Sequence, residues 1–534
     1  MTRAIVAQRS ILPLLMVLAL AGAIWTPRTA AGASSDLYAG LLPDARDGVL
    51  NKVQTHLSLY VISAQLNPDN GTISGKERIR YRNNTHHTLN QVALRLYPNA
   101  SYYKEGALTI SEAKVEGEHA DVDLKVDDTA ILVDLPAPLK PLQRVNLEFN
   151  FTSTIPADST GTYGVYSWAT KSGTYVLADW YPIIAGYEAG SGWNLDPPTS
   201  SGDPTFSDAA LYDVSFTAPQ TMTIVATGSE VSKQPYYNYF THRFITGPAR
   251  EFSLVIDNDY VKIYTFVGKT QINAYANPGD EAGARQALGT AARALESYAS
   301  IFGQYPYREL DLVDVPLVGA LGVSWTGLVY LSGPQLFHNF GKPHGGMDPD
   351  HFDFVVAHEV GHQWWGSIIG SNTNDHAFQV EGLDNYLVTT FLAMVYGPNY
   401  ANEQLKAQIA DPYMSSLESH GDGVAHTPTN GDEAGPTPEL LYGKSALGFL
   451  AIREKIGDEA FFAALHNYAK QYAYGISTPR DLLAAFEAAS GQSLAALWKF
   501  WFESATTTPH DVRVLLRNAP ETVPVPPVKV LLFG

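Results

Sequence analysis

His358-Glu359-Val360-Gly361-His362, followed after eighteen residues by Glu381, organises the reading of the whole chain. Side chains four apart on a helix share one face, so His358 and His362 can aim their imidazole nitrogens at one cation, with Glu359 beside them to hold a water. A catalytic zinc takes three protein ligands and keeps a fourth position for water or substrate, and Glu381 is the natural third ligand. The flanking sequence supports a helix here. Asp348-Pro349 reads as an N-cap followed by proline at the first helical position, and Phe352, Val355, Val356 and Glu359 recur at helical spacing up to about Gly366. A second helix from about Phe378 to Val395 would carry Glu381 in its first turn and present it antiparallel to the first.

Outward from this stretch the texture changes once. From about residue 50 to 250 apolar positions alternate, as in Leu57, Leu59 and Val61, then Val92, Leu94 and Leu96, then Val145, Leu147, Phe149 and Phe151. Turn sequences such as Asn67-Pro68-Asp69-Asn70-Gly71 separate them, so this part reads as an antiparallel β domain. After Asp280 the period becomes helical, with Ala284, Ala287, Leu288, Ala291, Leu295, Tyr298 and Phe302 on one side. Thr478-Pro479-Arg480-Asp481 opens a later helix that stops at Gly491, and Leu494 to Phe502 forms another through Leu497, Trp498 and Trp501. The fold class is therefore multidomain: β first, then α+β with helices dominating.

The chain's limits constrain partners. Arg3 and Arg9 precede the apolar run Ile11 to Trp25, and Ala31-Gly32-Ala33 supplies a cleavage site before Ser34, so residues 1–33 read as a signal peptide. An uncleaved membrane anchor is the alternative. No other run has the roughly 20 apolar residues that a spanning helix needs, so the mature chain is expected to lack an integral membrane span. The 534 residues carry a formal charge of −19, and residues 1–33 contain three arginines and no acid, which leaves −22 after their removal. That surface argues against nucleic acid as a partner. With no cysteine, disulfides and thiol chemistry are excluded, and stability must come from a large core. The expected division is a signal peptide (1–33), a linker (34–50), the β domain (51–250), a catalytic domain (251–505) and a proline-rich tail (506–534). Nothing in the pattern fixes an oligomeric state.

The runs H-E-V-G-H-Q-W-W-G at 358–366 and N-D-H-A-F-Q-V-E-G at 374–382 resemble those of the M1 (gluzincin) zinc metallopeptidases, a family that includes aminopeptidase N and leukotriene A4 hydrolase. Pro248-Ala249-Arg250-Glu251-Phe252, Phe302 to Tyr307 with Leu310 to Pro316, and Leu441-Tyr442-Gly443-Lys444-Ser445 agree with it, over about residues 50 to 505. The resemblance implies a thermolysin-like catalytic domain with one Zn2+ per chain held by His358, His362 and Glu381. It makes Glu359 the general base and Tyr442 the stabiliser of the oxyanion, and it implies peptide substrates. Asp375 is the candidate for orienting a ligand histidine.

One departure bears on specificity. The family's G-x-M-E-N motif, whose glutamate holds a substrate's free amino terminus, corresponds here to Gly322-Val323-Ser324-Trp325-Thr326, with Ser324 in the glutamate's place. A hydroxyl lacks the charge that pairs with an ammonium. The backbone of Gly322 and Val323 remains able to pair with an extended peptide. Asp179 or Glu188 are the alternative carboxylates. A secreted aminopeptidase is thus the leading expectation, an endopeptidase or oligopeptidase the alternative, and a non-catalytic scaffold a third reading that the persistence of ligands, base and tyrosine opposes. The glycine-rich span Asn339 to Asp348 and the span His420 to Pro438 are the candidate mobile loops, the second also readable as plain surface. Histidines 344, 351, 376, 420 and 426 are expected in ordinary polar roles.

Overall fold

The computed structural model describes residues 36–53, 56–200, 205–338, 340–341, 347–429 and 435–518. The expected signal peptide, His344 and the segment Pro520 to Pro527 lie outside them.

The β domain is built on an eight-stranded sheet in the order Ser229–Tyr236, Tyr239–Ala249, Ala210–Pro219, Ser58–Asn67, Thr72–Arg82, Arg144–Thr154, Ala107–Val115, Glu118–His119. Every pairing is antiparallel except Ser58–Asn67 with Ala210–Pro219, whose connection is long enough to bring the chain back in the same direction. Val145, Leu147, Phe149 and Phe151 all face its core. In strand Ser58–Asn67 the buried face is Tyr60, Ile62, Ala64 and Leu66, whereas Val61 is exposed, one residue out of phase with the sequence expectation. Apolar residues occupy both faces from Leu57 to Ile62, so the start of the strand does not choose; Ser63 and Gln65 further along mark the outer face, and the stacking of Tyr60 on Tyr212 at 4.7 Å belongs to the face that is buried.

The second domain holds a five-stranded mixed sheet, ordered Val261–Val267, Thr270–Ala276, Glu309–Val315, Leu328–Ser332, Gly322–Trp325. Helix Glu281–Phe302 crosses between the parallel strands Thr270–Ala276 and Glu309–Val315, and buries each of the seven residues expected on its apolar side. Gly322–Trp325 is an edge strand of this sheet and packs against helix Pro349–Gly361, which carries His358 and Glu359. Helix Pro479–Ser490 begins with the capping box of Thr478 and Asp481 and ends at left-handed Gly491, as the sequence indicates. Among the described residues no helix is long and apolar enough to cross a membrane.

Three boundaries differ from the sequence expectation. The segment expected as a linker is packed: Leu41 bridges to Tyr307, and helix Arg46–Val53 buries Val49 and Val53 in the core of the second domain. Strand Leu254–Asp257 still belongs to a β-domain sheet, paired with Thr223–Ala226 and Thr174–Leu177. The expected tail contributes helix Pro509–Asn518, which buries Val512 and Leu515. In each case a few apolar residues in a short segment find a large core, which raises no periodic pattern in the sequence.

Arg250 fastens the two domains. Its guanidinium is buried and donates to the carbonyls of Gly366 (2.7 Å), Gly475 (2.8 Å), Ser207 (3.2 Å) and Ile368 (3.2 Å). Burial lowers its pKa, with Glu251 and Asp208 opposing. Arg250→Met is expected to leave these carbonyls without donors and to destabilise the protein by at least ~3 kcal/mol, read as a lowered urea midpoint; an unchanged midpoint refutes the fastening role.

Candidate active site

The motif helix spans Pro349–Gly361, ending a turn earlier than expected, and is opened by Asp348, whose carboxylate accepts from the Asp350 amide at 3.1 Å. It is buried on all sides from Phe352 onward, as a helix inside a core must be. The partner helix runs Thr373–Tyr396, five residues longer at its start than the sequence indicated, so Glu381 lies well inside it rather than in its first turn. A break at His376 (φ −133°, ψ 35°) separates the added residues. Gly361 is where the two helices meet: a Cβ there would collide with the Asp384 carboxylate.

That approach brings three donor atoms together. His358 Nε2 lies 3.2 Å from Glu381 Oε2, His362 Nε2 lies 3.1 Å from His358 Nε2, and His362 Nε2 lies 3.5 Å from Glu381 Oε2. Donors placed tetrahedrally about an ion at ~2.0–2.1 Å are about 3.3 Å apart, so the triangle has the size of three ligands of one metal. The charges agree. Burial disfavours the charged form of His362, yet Glu381 and Asp384 outweigh it and hold the imidazole well above its ordinary value. Burial likewise opposes ionisation of Glu381, and the two imidazoles overcome it, leaving the carboxylate below its usual range. Such a pocket has an excess of negative charge and suits a cation.

The His362 ring is fixed from behind. Its Nδ1 lies 3.0 Å from the Trp365 carbonyl and 3.5 Å from Asp384 Oδ2, which sets the tautomer that leaves Nε2 free for a metal. Asp384, not Asp375, is therefore the carboxylate behind a ligand histidine. Asp375 accepts instead from Asn372 Nδ2 at 2.7 Å, and burial raises its pKa with Asp196 and Glu188 nearby. Asp384 follows Glu381 by three residues, one helical turn, a spacing that the sequence itself displays.

Glu359 sits at 5% exposure against the edge strand. Burial raises its pKa against the opposing effect of the two histidines and of Ser324. The Ser324 hydroxyl lies 2.7 Å from Glu359 Oε2 and 2.9 Å from the Glu359 carbonyl, so the residue in the expected glutamate's place is bonded to the base. Gly322 is required where it stands, because a Cβ would meet the same carboxylate. Tyr442 lies on a π-helical turn, Glu439–Lys444, with its ring 5.9 Å from that of His358. Burial, then Glu381, raises the phenol well above its usual value and keeps it a donor. Lys444 anchors the turn: fully buried, its Nζ donates to Asp422 Oδ2 (2.8 Å), Gly423 O (2.7 Å) and Ser504 O (2.6 Å).

His358, Glu359, His362, Glu381, Tyr442 and Ser324 line one cavity of about 510 Å³, together with Gly322, Val323 and the buried Glu251. Asp179 and Glu188 are absent from its lining. Asp179 is buried under Thr205 Oγ1, 2.9 Å from each of its oxygens, and Glu188 accepts from Asn372 (3.3 Å) and Ser191 (3.1 Å). Glu251, inside a segment quoted for its resemblance, was not singled out because nothing in sequence separates a cavity-lining acid from a solvated one.

Residues 286–501 match the model of the peptidase family M1 domain. The chain carries an M1 peptidase domain. Among curated M1 relatives it is similar to Aminopeptidase M1-B of Oryza sativa subsp. japonica, 26% identical over 250 residues, covering 46% of this chain and 28% of that protein. It is equally similar to Aminopeptidase M1 of Arabidopsis thaliana, 26% identical over 253 residues with the same coverage, so it spans well under half the length of these relatives. Its fold is that of the two-domain M1 zinc metallopeptidase of Deinococcus radiodurans, a variant of which superposes with a TM-score of 0.64 at 19% identity, covering 85% of this chain and 95% of that one.

The span that leads to the Tyr442 turn is tied to the partner helix by a histidine pair, His376 Nδ1 to His426 Nε2 at 2.8 Å. Burial, then His376, pushes His426 down to about 4. An unfolded histidine titrates near 6.5, so the unfolded chain takes the extra proton first, and stability present above about pH 6.5 is lost as pH falls toward 4. His426→Asn is expected to lose less stability than the parent between pH 7 and 4.5 by urea unfolding; equal losses contradict the assignment.

Proposed function

We propose that this protein is a zinc-dependent metallopeptidase that hydrolyses peptide bonds, acting as an aminopeptidase. The observation that carries the reading is the triangle of His358 Nε2, His362 Nε2 and Glu381 Oε2 at 3.1–3.5 Å, with a buried carboxylate beside it. These are the donor types and the spacing of a catalytic zinc site, and the M1 domain match supports zinc as the ion. When bound, zinc lowers the pKa of water and polarises a carbonyl. The chain's residues do the rest. Glu359, its pKa raised by burial, takes a proton from the attacking water and returns it to the leaving amine. Tyr442, kept protonated, donates to the developing oxyanion. The edge strand Gly322–Trp325 offers backbone groups of Gly322 and Val323 to an extended substrate.

The amino-terminal clamp needs a charge, and Ser324 is committed to Glu359. Glu251, a buried carboxylate on the same cavity, takes that part in the aminopeptidase reading. The uncharged Ser324 favours the second reading, an endopeptidase or oligopeptidase. Export to a secreted or extracytoplasmic location is supported by the run Ile11 to Trp25 and by Ala31-Gly32-Ala33. N-terminal sequencing of the exported chain is expected to begin at Ser34; a chain still starting at Met1 points to an anchor.

Glu359→Gln is expected to retain the metal and lose activity, because an amide cannot accept the water's proton. Tyr442→Phe is expected to lower turnover by ~10²–10³. Peptide digests read by mass spectrometry decide the subtype: stepwise loss of single residues supports the aminopeptidase, and cleavage of N-blocked peptides at internal bonds overturns it. Glu251→Gln is expected to raise KM for unblocked peptides. Full activity in Glu359→Gln refutes the mechanism.

A further inference from the structure

The β domain sends one short turn, Gly161–Gly164, to the catalytic cavity. Its backbone is left-handed over three residues in succession: Thr162 (φ 41°, ψ 58°), Tyr163 (φ 61°, ψ 8°) and Gly164 (φ 83°). Glycine adopts this region freely, whereas a β-branched threonine and a bulky tyrosine are held there at a cost in stability. Such residues persist where their surroundings over-determine them, and they cluster at sites that act on ligands. Here the surroundings are explicit. A Cβ on Gly161 would meet the ring and carbonyl of Tyr102, the Thr162 side chain is buried, and the Tyr163 carbonyl accepts from the Val318 amide at 3.0 Å, in the segment that leads into the edge strand.

The result of this backbone is the placement of one ring. Tyr163 is half-buried and lines the same cavity as His358, Glu359 and Tyr442. It packs against an apolar cluster that includes Leu317, Trp325 and Tyr330, and a Cβ on Gly319 would lie 3.8 Å from its Cδ1. Val323 packs against the same cluster and also lines the cavity. On the edge strand, Ser324 bonds Glu359 and Gly322 lies against it, so Val323 between them belongs to the strand's other face. Tyr163 is also within electrostatic reach of Tyr442, whose phenol is raised by burial, then by Glu381, then by Tyr163.

We propose that Tyr163 determines specificity: with Val323 it forms an apolar wall for the substrate side chain on the residue that supplies the scissile carbonyl, and it favours peptides with a large apolar or aromatic residue there. An extended peptide lying along the edge strand alternates its side chains between the two faces of that strand. A side chain on Val323's face, next to the carbonyl held by Tyr442, meets the Tyr163 ring. The ring removes apolar surface from water on contact, and an aromatic partner gains a ring–ring contact as well. The cost of the left-handed turn is thereby spent on recognition rather than on the core of the β domain.

The inference rests on the peptidase reading of the site, and the test separates the two. A mixed peptide library digested by the zinc-loaded full chain and read by mass spectrometry is expected to show phenylalanine, tyrosine, leucine or methionine before the cut, favoured over alanine by at least roughly tenfold in kcat/KM. Tyr163→Asn, whose side chain tolerates a left-handed backbone, is expected to stay folded and to lose that preference, and Tyr163→Phe is expected to keep it. The same discrimination is read without turnover by titrating the tripeptides Phe-Ala-Ala and Ala-Ala-Ala into Glu359→Gln, alone and combined with Tyr163→Asn. Cleavage without preference in the parent, preference retained in Tyr163→Asn, or preference lost in Tyr163→Phe overturns the proposal. A parent that cuts no peptide overturns the peptidase reading, and equal affinity of Glu359→Gln for the two tripeptides overturns the subsite independently of it.

Discussion

The contact between Gly361 and Asp384 governs the geometry of the cavity. With no Cβ at 361 the motif helix settles against the partner helix until the Asp384 carboxylate meets its backbone. At that distance Glu381, one turn earlier on the partner helix, reaches both imidazoles, while Asp384 stands behind His362. A side chain at 361 would push the helices apart by more than the few tenths of an ångström that a metal triangle tolerates. The middle glycine of the motif is therefore as much a part of the site as the histidines, although it binds nothing.

The same interior concentrates charge, and the fold answers each charge locally. Glu381 is offset by two imidazoles, Lys444 by Asp422 and two carbonyls, and Arg250 by four carbonyls drawn from both domains. Arrangements of this kind add little net stability compared with apolar packing, but breaking one partner is costly, so they fix geometry. Lys444 illustrates the point: buried between Asp422 and Ser504, it holds in place the short π-helical turn on which Tyr442 sits. The interval from tyrosine to lysine in Leu441-Tyr442-Gly443-Lys444 is the spacing that puts one side chain in the cavity and the other in the core.

What was legible in the sequence follows from which interactions are local. Helix starts at Asp348-Pro349 and Thr478-Pro479 and the stop at Gly491 were readable because caps are made within four residues of one another. The convergence of His358, His362 and Glu381 was readable because these side chains lie on helices of predictable face. The phase of strand Ser58–Asn67 was harder, since Leu59 and Val61 make the outer face apolar at its start and only Ser63 and Gln65 further along mark that face as the exposed one. Asp375 and Asp384 are both helical acids near Glu381, and only the bend at His376 and the tight approach at Gly361, neither visible in the sequence, put Asp384 behind His362. The packed segment at Leu41 to Val53 and the helix from Pro509 were hidden because a short element contributes two or three apolar residues to a core it does not define.

Ser324 shows how a single replacement acts through a neighbour. A glutamate in that place would set a second carboxylate against Glu359, and each would raise the other's pKa. The serine instead donates to Glu359 Oε2, a bond that favours the ionised base and lowers its pKa against the effect of burial. The base is thereby drawn back toward its charged, proton-accepting form while remaining out of bulk water. In the aminopeptidase reading, recognition of a substrate's end passes to Glu251, which lines the same cavity and is next in sequence to Arg250, the residue that joins the two domains. In that reading proton transfer stays with Glu359 on the motif helix, held by Ser324 of the edge strand, and end recognition falls to the domain junction.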